Sequence, residues 1–178
     1  MKSILPVTWM IVLALPFAIS HANSKIAARL QSSTDSSGPS NEDIDGSEGW
    51  TSIIPPNRTG QSFIAKSRTL SSIEVALLTT GNRTEGKEIV TMKILSEDGR
   101  TLTRVSRSIG VGFNGWLRLE LRGKGLKVVP GQKLVIRLED TGKVLFGWKY
   151  SSDKYSDGTA IMLGKEDKRY DFLFRVHH

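Results

Sequence analysis

No cysteine occurs among the 178 residues. Disulfides, thiolate metal sites and thiol nucleophiles are therefore excluded. Histidine is nearly as scarce: His21 lies in the N-terminal apolar region, and His177 and His178 close the chain. The long stretch between them has none, which removes the usual general base at neutral pH and the commonest metal ligand. Acid–base work is left to carboxylates and lysines, so a non-catalytic protein without a cofactor is expected. Helical periodicity is missing as well from Trp50 onward, where no window shows a convincing helical stripe.

Long apolar runs are confined to one place. Met1 to Ala22 reads as a secretory signal peptide: Lys2 supplies the positive start, "ILPVTWMIVLALPFAI" the apolar stretch, and "SHA" small residues for cleavage. Pro6 and Pro16 interrupt the run, and a spanning helix needs about 20 apolar residues in succession. With no following Cys and no apolar tail, neither a lipid nor a C-terminal anchor is expected. The mature chain is expected to be secreted, extracellular or periplasmic, and not membrane-spanning. Residues 23–49 read as a disordered acidic linker rich in Ser and Gly. The segment "QSSTDSSGPSNEDIDGSEG" holds Asp35, Glu42, Asp43, Asp45 and Glu48 with no basic residue, and it is too polar to offset its ordering entropy. Of 25 basic and 18 acidic residues, 22 and 13 fall within 50–178, which leaves that segment at +9.

From Trp50 onward the pattern has period two. In "WLRLEL", Leu117, Leu119 and Leu121 alternate with Trp116, Arg118 and Glu120; in "QKLVIRLED", Leu134, Ile136 and Leu138 alternate with Val135, Arg137 and Glu139. "SSIEVALL", "EIVTMKIL" and "DFLFRV" repeat the theme, separated by turn sequences such as "SEDGR", "RGKG" and "VPGQ". Alternation of this kind predicts strands with one buried face. About eight or nine of them at this spacing predict an all-β domain over residues 50–178, an antiparallel β-sandwich of jelly-roll type.

Motifs in order along the domain strengthen this reading. They are "QSF" and "LSS" in residues 61–72, "VPGQKLVIRLED" (129–140), "WKYSSDKYSDGTA" (148–160) and "DFLFRV" (171–176). Together they resemble the pattern of secreted bacterial jelly-roll modules of the galactose-binding type, many of unknown function. The resemblance implies a β-sandwich in an exported protein and carries no catalytic residue. Lys149 stands where that pattern usually has glycine, and Asp157 replaces the first of two glycines.

The aromatic stretch "GWKYSSDKYSDGTA" supports three readings. In the first, Phe146 and Trp148 fill the core and Asp153 and Asp157 organise a corner. In the second, Tyr150 and Tyr155 form a platform for a sugar ring and Asp153 accepts its hydroxyls. In the third, the two aspartates begin a calcium site, for which they are too few alone. Trp116 is either a binding contact or a cover for the sheet edge. Arg104, Arg107, Arg122 and Lys124 are candidates for holding an anionic polymer, against the alternative of a solvated sheet face. With no nucleic-acid motif and an export signal present, an extracellular glycan or acidic polysaccharide is the expected partner rather than nucleic acid. "GVGFNG" precedes no lysine or helix and is not a phosphate loop. The sequons at Asn57 and Asn82 are acceptors only in a glycosylating host. The expected function is an exported, non-catalytic carbohydrate-binding module. The alternatives are a structural or protein-interaction module, and a carboxylate-dependent polysaccharide lyase or glycosidase.

The cleavage motif makes the first prediction. Mass spectrometry of the secreted protein should find Asn23 at the N-terminus, and a product retaining Met1 would contradict the signal-peptide reading.

Overall fold

The structure, a computed structural model, describes residues 47–53, 58–80, 86–141 and 144–178, all within the unit Asp35–His178. The expected signal peptide, nearly all of the expected linker, and Asn57 and Asn82 lie outside the described residues. Among the described residues there are fourteen strands and no helix. They are β1 (Gly49–Ser52), β2 (Gly60–Ile64), β3 (Thr69–Leu70), β4 (Ser72–Thr80), β5 (Lys87–Ser96), β6 (Thr101–Gly110) and β7 (Asn114–Glu120), followed by β8 (Leu126–Lys127), β9 (Lys133–Glu139), β10 (Leu145–Ser152), β11 (Ala160–Met162), β12 (Lys165–Asp167), β13 (Tyr170–Phe172) and β14 (Phe174–His177). The strands beyond the expected eight or nine are pieces of two to four residues, too short for alternation to be legible in the sequence. Gly49 already pairs with Tyr150, so the domain begins slightly before the expected linker boundary.

Every pairing is antiparallel. β3 and β8 form a separate two-stranded pair; one six-stranded sheet runs β12-β11-β2-β9-β5-β6, and the other gathers β1, β10, β13, β14, β4 and β7. The chain crosses between them at most connections, as in a jelly roll. The two sheets face each other across one core, to which Ile73, Leu119, Phe146 and Phe174 come from the second sheet and Phe63, Met92, Ile94 and Ile136 from the first. The alternation read from the sequence is realised most cleanly in β9, where Leu134, Ile136 and Leu138 are buried and every intervening residue is half-exposed.

The second sheet contains a fork. β4 and β10 pair between Leu77 and Thr80, then separate, and β13 and β14 fill the gap. Leu173 stands at the point of the fork. Its N–H donates to the Lys149 carbonyl at 2.9 Å, and its carbonyl accepts from Ala76 N at 3.1 Å and Trp148 Nε1 at 2.9 Å. The Trp148 indole is thereby satisfied although fully buried, which an apolar core requires of it. Its ring stacks on Phe172 with centroids 4.6 Å apart.

Leu119 is buried at the centre of β7, whereas Arg118 points outward to Glu120 and Glu74. In urea denaturation, Leu119→Ala should cost about 2–5 kcal/mol. Arg118→Ala should cost less than about 1 kcal/mol, because its short ion pair, with Glu120, is exposed. Equal losses would mean that the faces of β7 are misassigned.

Candidate functional site

The stretch after β10 turns inward. Asp171 Oδ2 accepts the backbone N–H groups of Lys154 at 2.8 Å and Tyr155 at 2.7 Å. Held there, Tyr155 drops its ring edge-on against Phe174, 5.4 Å between centroids, and its hydroxyl accepts the Ile64 N–H at 3.2 Å. Tyr155 is only 7% exposed, and burial pushes its hydroxyl pKa up to about 12. The expected sugar platform is corrected on this point: Tyr155 is a core residue. Sequence spacing placed it in a loop but could not show that the loop is pulled into the sandwich. Tyr150 is half-buried among Tyr170, Phe172 and Gly49. Gly158 permits the corner, since a Cβ there would lie 2.0 Å from the Ser62 carbonyl oxygen.

Gln61 completes the arrangement. Its Nε2 donates to Asp171 Oδ1 at 2.8 Å, and its Oε1 accepts the Phe172 N–H at 2.8 Å. Asp171 and Gln61 are both fully buried and join one sheet to the other. Burial raises the Asp171 pKa above the usual aspartate range and outweighs the three N–H donors; the neighbouring Asp153 carboxyl acts in the same direction as burial. The exposed Asp153 therefore sits beside another carboxyl, while Asp157 turns to Lys66 at 3.5 Å. The two aspartates do not converge on a common point, and among the described residues no three acidic or histidine side chains group to hold a metal ion.

The basic candidates separate. Arg104 and Arg107 lie three residues apart on β6, so they leave opposite faces. Arg104 shares the outward face with Lys93, its register partner. Arg107 crosses to the other sheet and donates to the Arg118 carbonyl at 2.7 Å. Of the two readings of these residues, an anionic-polymer site or a solvated sheet face, strand geometry removes a cluster formed by Arg104 and Arg107 together. Arg122 and Lys124 occupy the exposed turn between β7 and β8. Trp116 is half-buried, with the Arg175 guanidinium 4.1 Å above its ring, so one ring face is already covered.

The outward face of the β2-β9-β5 sheet holds a trough that the sequence reading did not assemble. Its enclosed part measures about 340 Å³. Leu95, Val135 and Ile161 form an aliphatic floor, and Glu97, Lys133, Arg137 and Glu166 stand around it. Gly60 leaves the floor open: a Cβ there would meet the Ile136 carbonyl at 2.8 Å and the Val135 side chain at 3.4 Å. At Ser96, Glu97 and Lys133 the trough continues into a more open depression of about 580 Å³ beside Gly131 and Gln132. Ser96 braces the rim by donating its hydroxyl to the Asp98 carboxylate, and this bond holds the Asp98 pKa below the usual range. Lys133 pairs with Glu166 at 3.5 Å across the trough. The signal in the sequence was Val135, an apolar residue at an outward position between Lys133 and Arg137.

No protein-family model matches the chain, and comparison with curated proteins gives no match.

The buried carboxyl generates a prediction with a definite sign. Asp171 keeps its proton to higher pH when folded than when unfolded. Between those two values the native state holds a proton that the unfolded state has released, so stability falls as pH rises through the window. Asp171→Asn removes that titration and sets an amide N–H against a backbone donor or Gln61 Nε2. At the acid end the variant should be less stable by about 1–3 kcal/mol, and the gap should narrow as pH climbs. Denaturation curves across acid pH test this; a gap that widens would show that the N–H donors dominate.

Proposed function

We propose that the domain is an exported, non-catalytic module that binds a saccharide in the trough on the outward face of the β2-β9-β5 sheet. The observation that carries this reading is the combination of an aliphatic floor with a few hydrogen-bonding groups at its margin. Binding sites for small molecules have this composition, and it suits a pyranose, which has an apolar C–H face and a rim of hydroxyls. The expected export and the resemblance to galactose-binding jelly rolls support the same reading. The contact is aliphatic rather than aromatic, since among the described residues no aromatic side chain lines the trough.

A catalytic reading has one observation in its favour, the two carboxylates Glu97 and Glu166 at the trough. It predicts turnover, whereas binding alone does not. The segment 147–160, with Tyr155 in the core, belongs to the scaffold in either case.

A glycan array probed with the full chain should give saturable binding to at least one saccharide class. Val135→Trp places a ring on the floor at an outward strand position that tolerates aromatics. It should weaken that binding at least about tenfold while shifting stability by less than about 1 kcal/mol. Unchanged binding would remove the trough from consideration, and release of new reducing ends or unsaturated products would replace the binding reading with the catalytic one.

A further inference from the structure

Register brings three cations into a row beside the trough. Arg137 on β9 is paired with Lys93 on β5, and Lys93 with Arg104 on β6. Residues paired across antiparallel strands share a face, so all three side chains leave the outward one. Lys93 is neutralised by Glu139 at 2.7 Å. Arg137 and Arg104 have no carboxylate within ion-pair distance among the described residues.

The two free guanidinium groups differ. Arg104 is exposed. Arg137 is half-buried at the trough wall, and its Nε is shut off from solvent without a hydrogen-bond partner. Ligand contact therefore falls to the part of the guanidinium that lines the trough, for which an anionic oxygen is the best match. Guanidinium presents a planar fork that matches a carboxylate or sulfate. Two strand spacings separate Arg137 from Arg104, about 10 Å. A pyranose in an extended chain advances by roughly half that span, so charges on alternate sugars would meet the two arginines in turn. Among the described residues no aromatic side chain lines the trough, whereas non-specific single-stranded nucleic-acid grooves stack bases on such rings.

Resting on the saccharide reading above, we infer that the ligand is an acidic polysaccharide lying across the strands. Arg137 holds one carboxylate or sulfate at the trough, and Arg104 holds the next. The +9 balance of residues 50–178 favours approach of such a polymer at low salt.

Titration calorimetry with the full chain tests this against polygalacturonate and its carboxyl-reduced product, and against dextran sulfate and dextran. The acidic member of at least one pair should bind about tenfold tighter than the neutral one, and the pair that shows the preference identifies carboxylate or sulfate as the recognised group. Arg137→Met should abolish the preference, and Arg137→Lys should restore only part of it. Arg104→Met should reduce it about threefold; because that side chain is exposed, this variant decides the matter if Arg137→Met does not fold. Equal binding of acidic and neutral polymers would overturn the charge assignment and leave the saccharide reading standing. A preference that survives Arg137→Met and Arg104→Met would overturn the role given to these arginines. Absence of binding to every saccharide, on the array as well, would overturn the reading on which the inference rests.

Discussion

A carboxyl group taken out of water must find donors inside the protein, and Asp171 sets much of this domain by finding three. Two are the backbone N–H groups of Lys154 and Tyr155, and the third is the Gln61 amide. The first two draw the chain after β10 into the sandwich, where Tyr155 reaches the β2 backbone at Ile64. The closely packed Gly158 and the bonds between Thr159 and Ser62 then deliver the chain to β11. β11 lies along β2 and places Ile161 beside Gly60. Part of the trough floor is thus fixed by a buried acid elsewhere in the sandwich. The bond to Gln61 spans 110 positions of sequence, so this is tertiary organisation that local preference could not supply.

What the sequence revealed and what it concealed divide along that line. Faces of strands were legible, because period two is a local property: Leu119 and Trp148 are buried where the alternation puts them. The fate of Tyr155 was not legible, because it depends on Asp171. Arg104 and Arg107 looked like neighbours in the chain, yet strand geometry sends them to opposite faces. Arg104 instead meets Lys93 and Arg137, whose proximity follows from register and is invisible in any one segment. Gln61 and Asp171 did leave a trace, as polar residues within the apolar patterns "QSF" and "DFLF". Nothing in those short patterns showed that the two would meet.

The outward face of the β2-β9-β5 sheet contrasts with its opposite number. On the outward face of β4, β7 and β14, Glu74 is approached by Arg118, Arg175 and His177, and Arg175 also covers Trp116. Charges there are matched within the protein. On the trough face, Lys93 and Lys133 have carboxylate partners, while among the described residues Arg137 has none.

The reach of Arg107 to the Arg118 carbonyl has a consequence for how the protein behaves in bulk. β6 and β7 are both terminal strands of their sheets, and the free backbone groups of such strands recruit strands from other molecules. The guanidinium occupies one acceptor on the β7 margin and brings a positive charge to the place where a foreign strand would dock. Strand addition along this seam is therefore disfavoured, since a newcomer would have to displace the guanidinium before it could pair there.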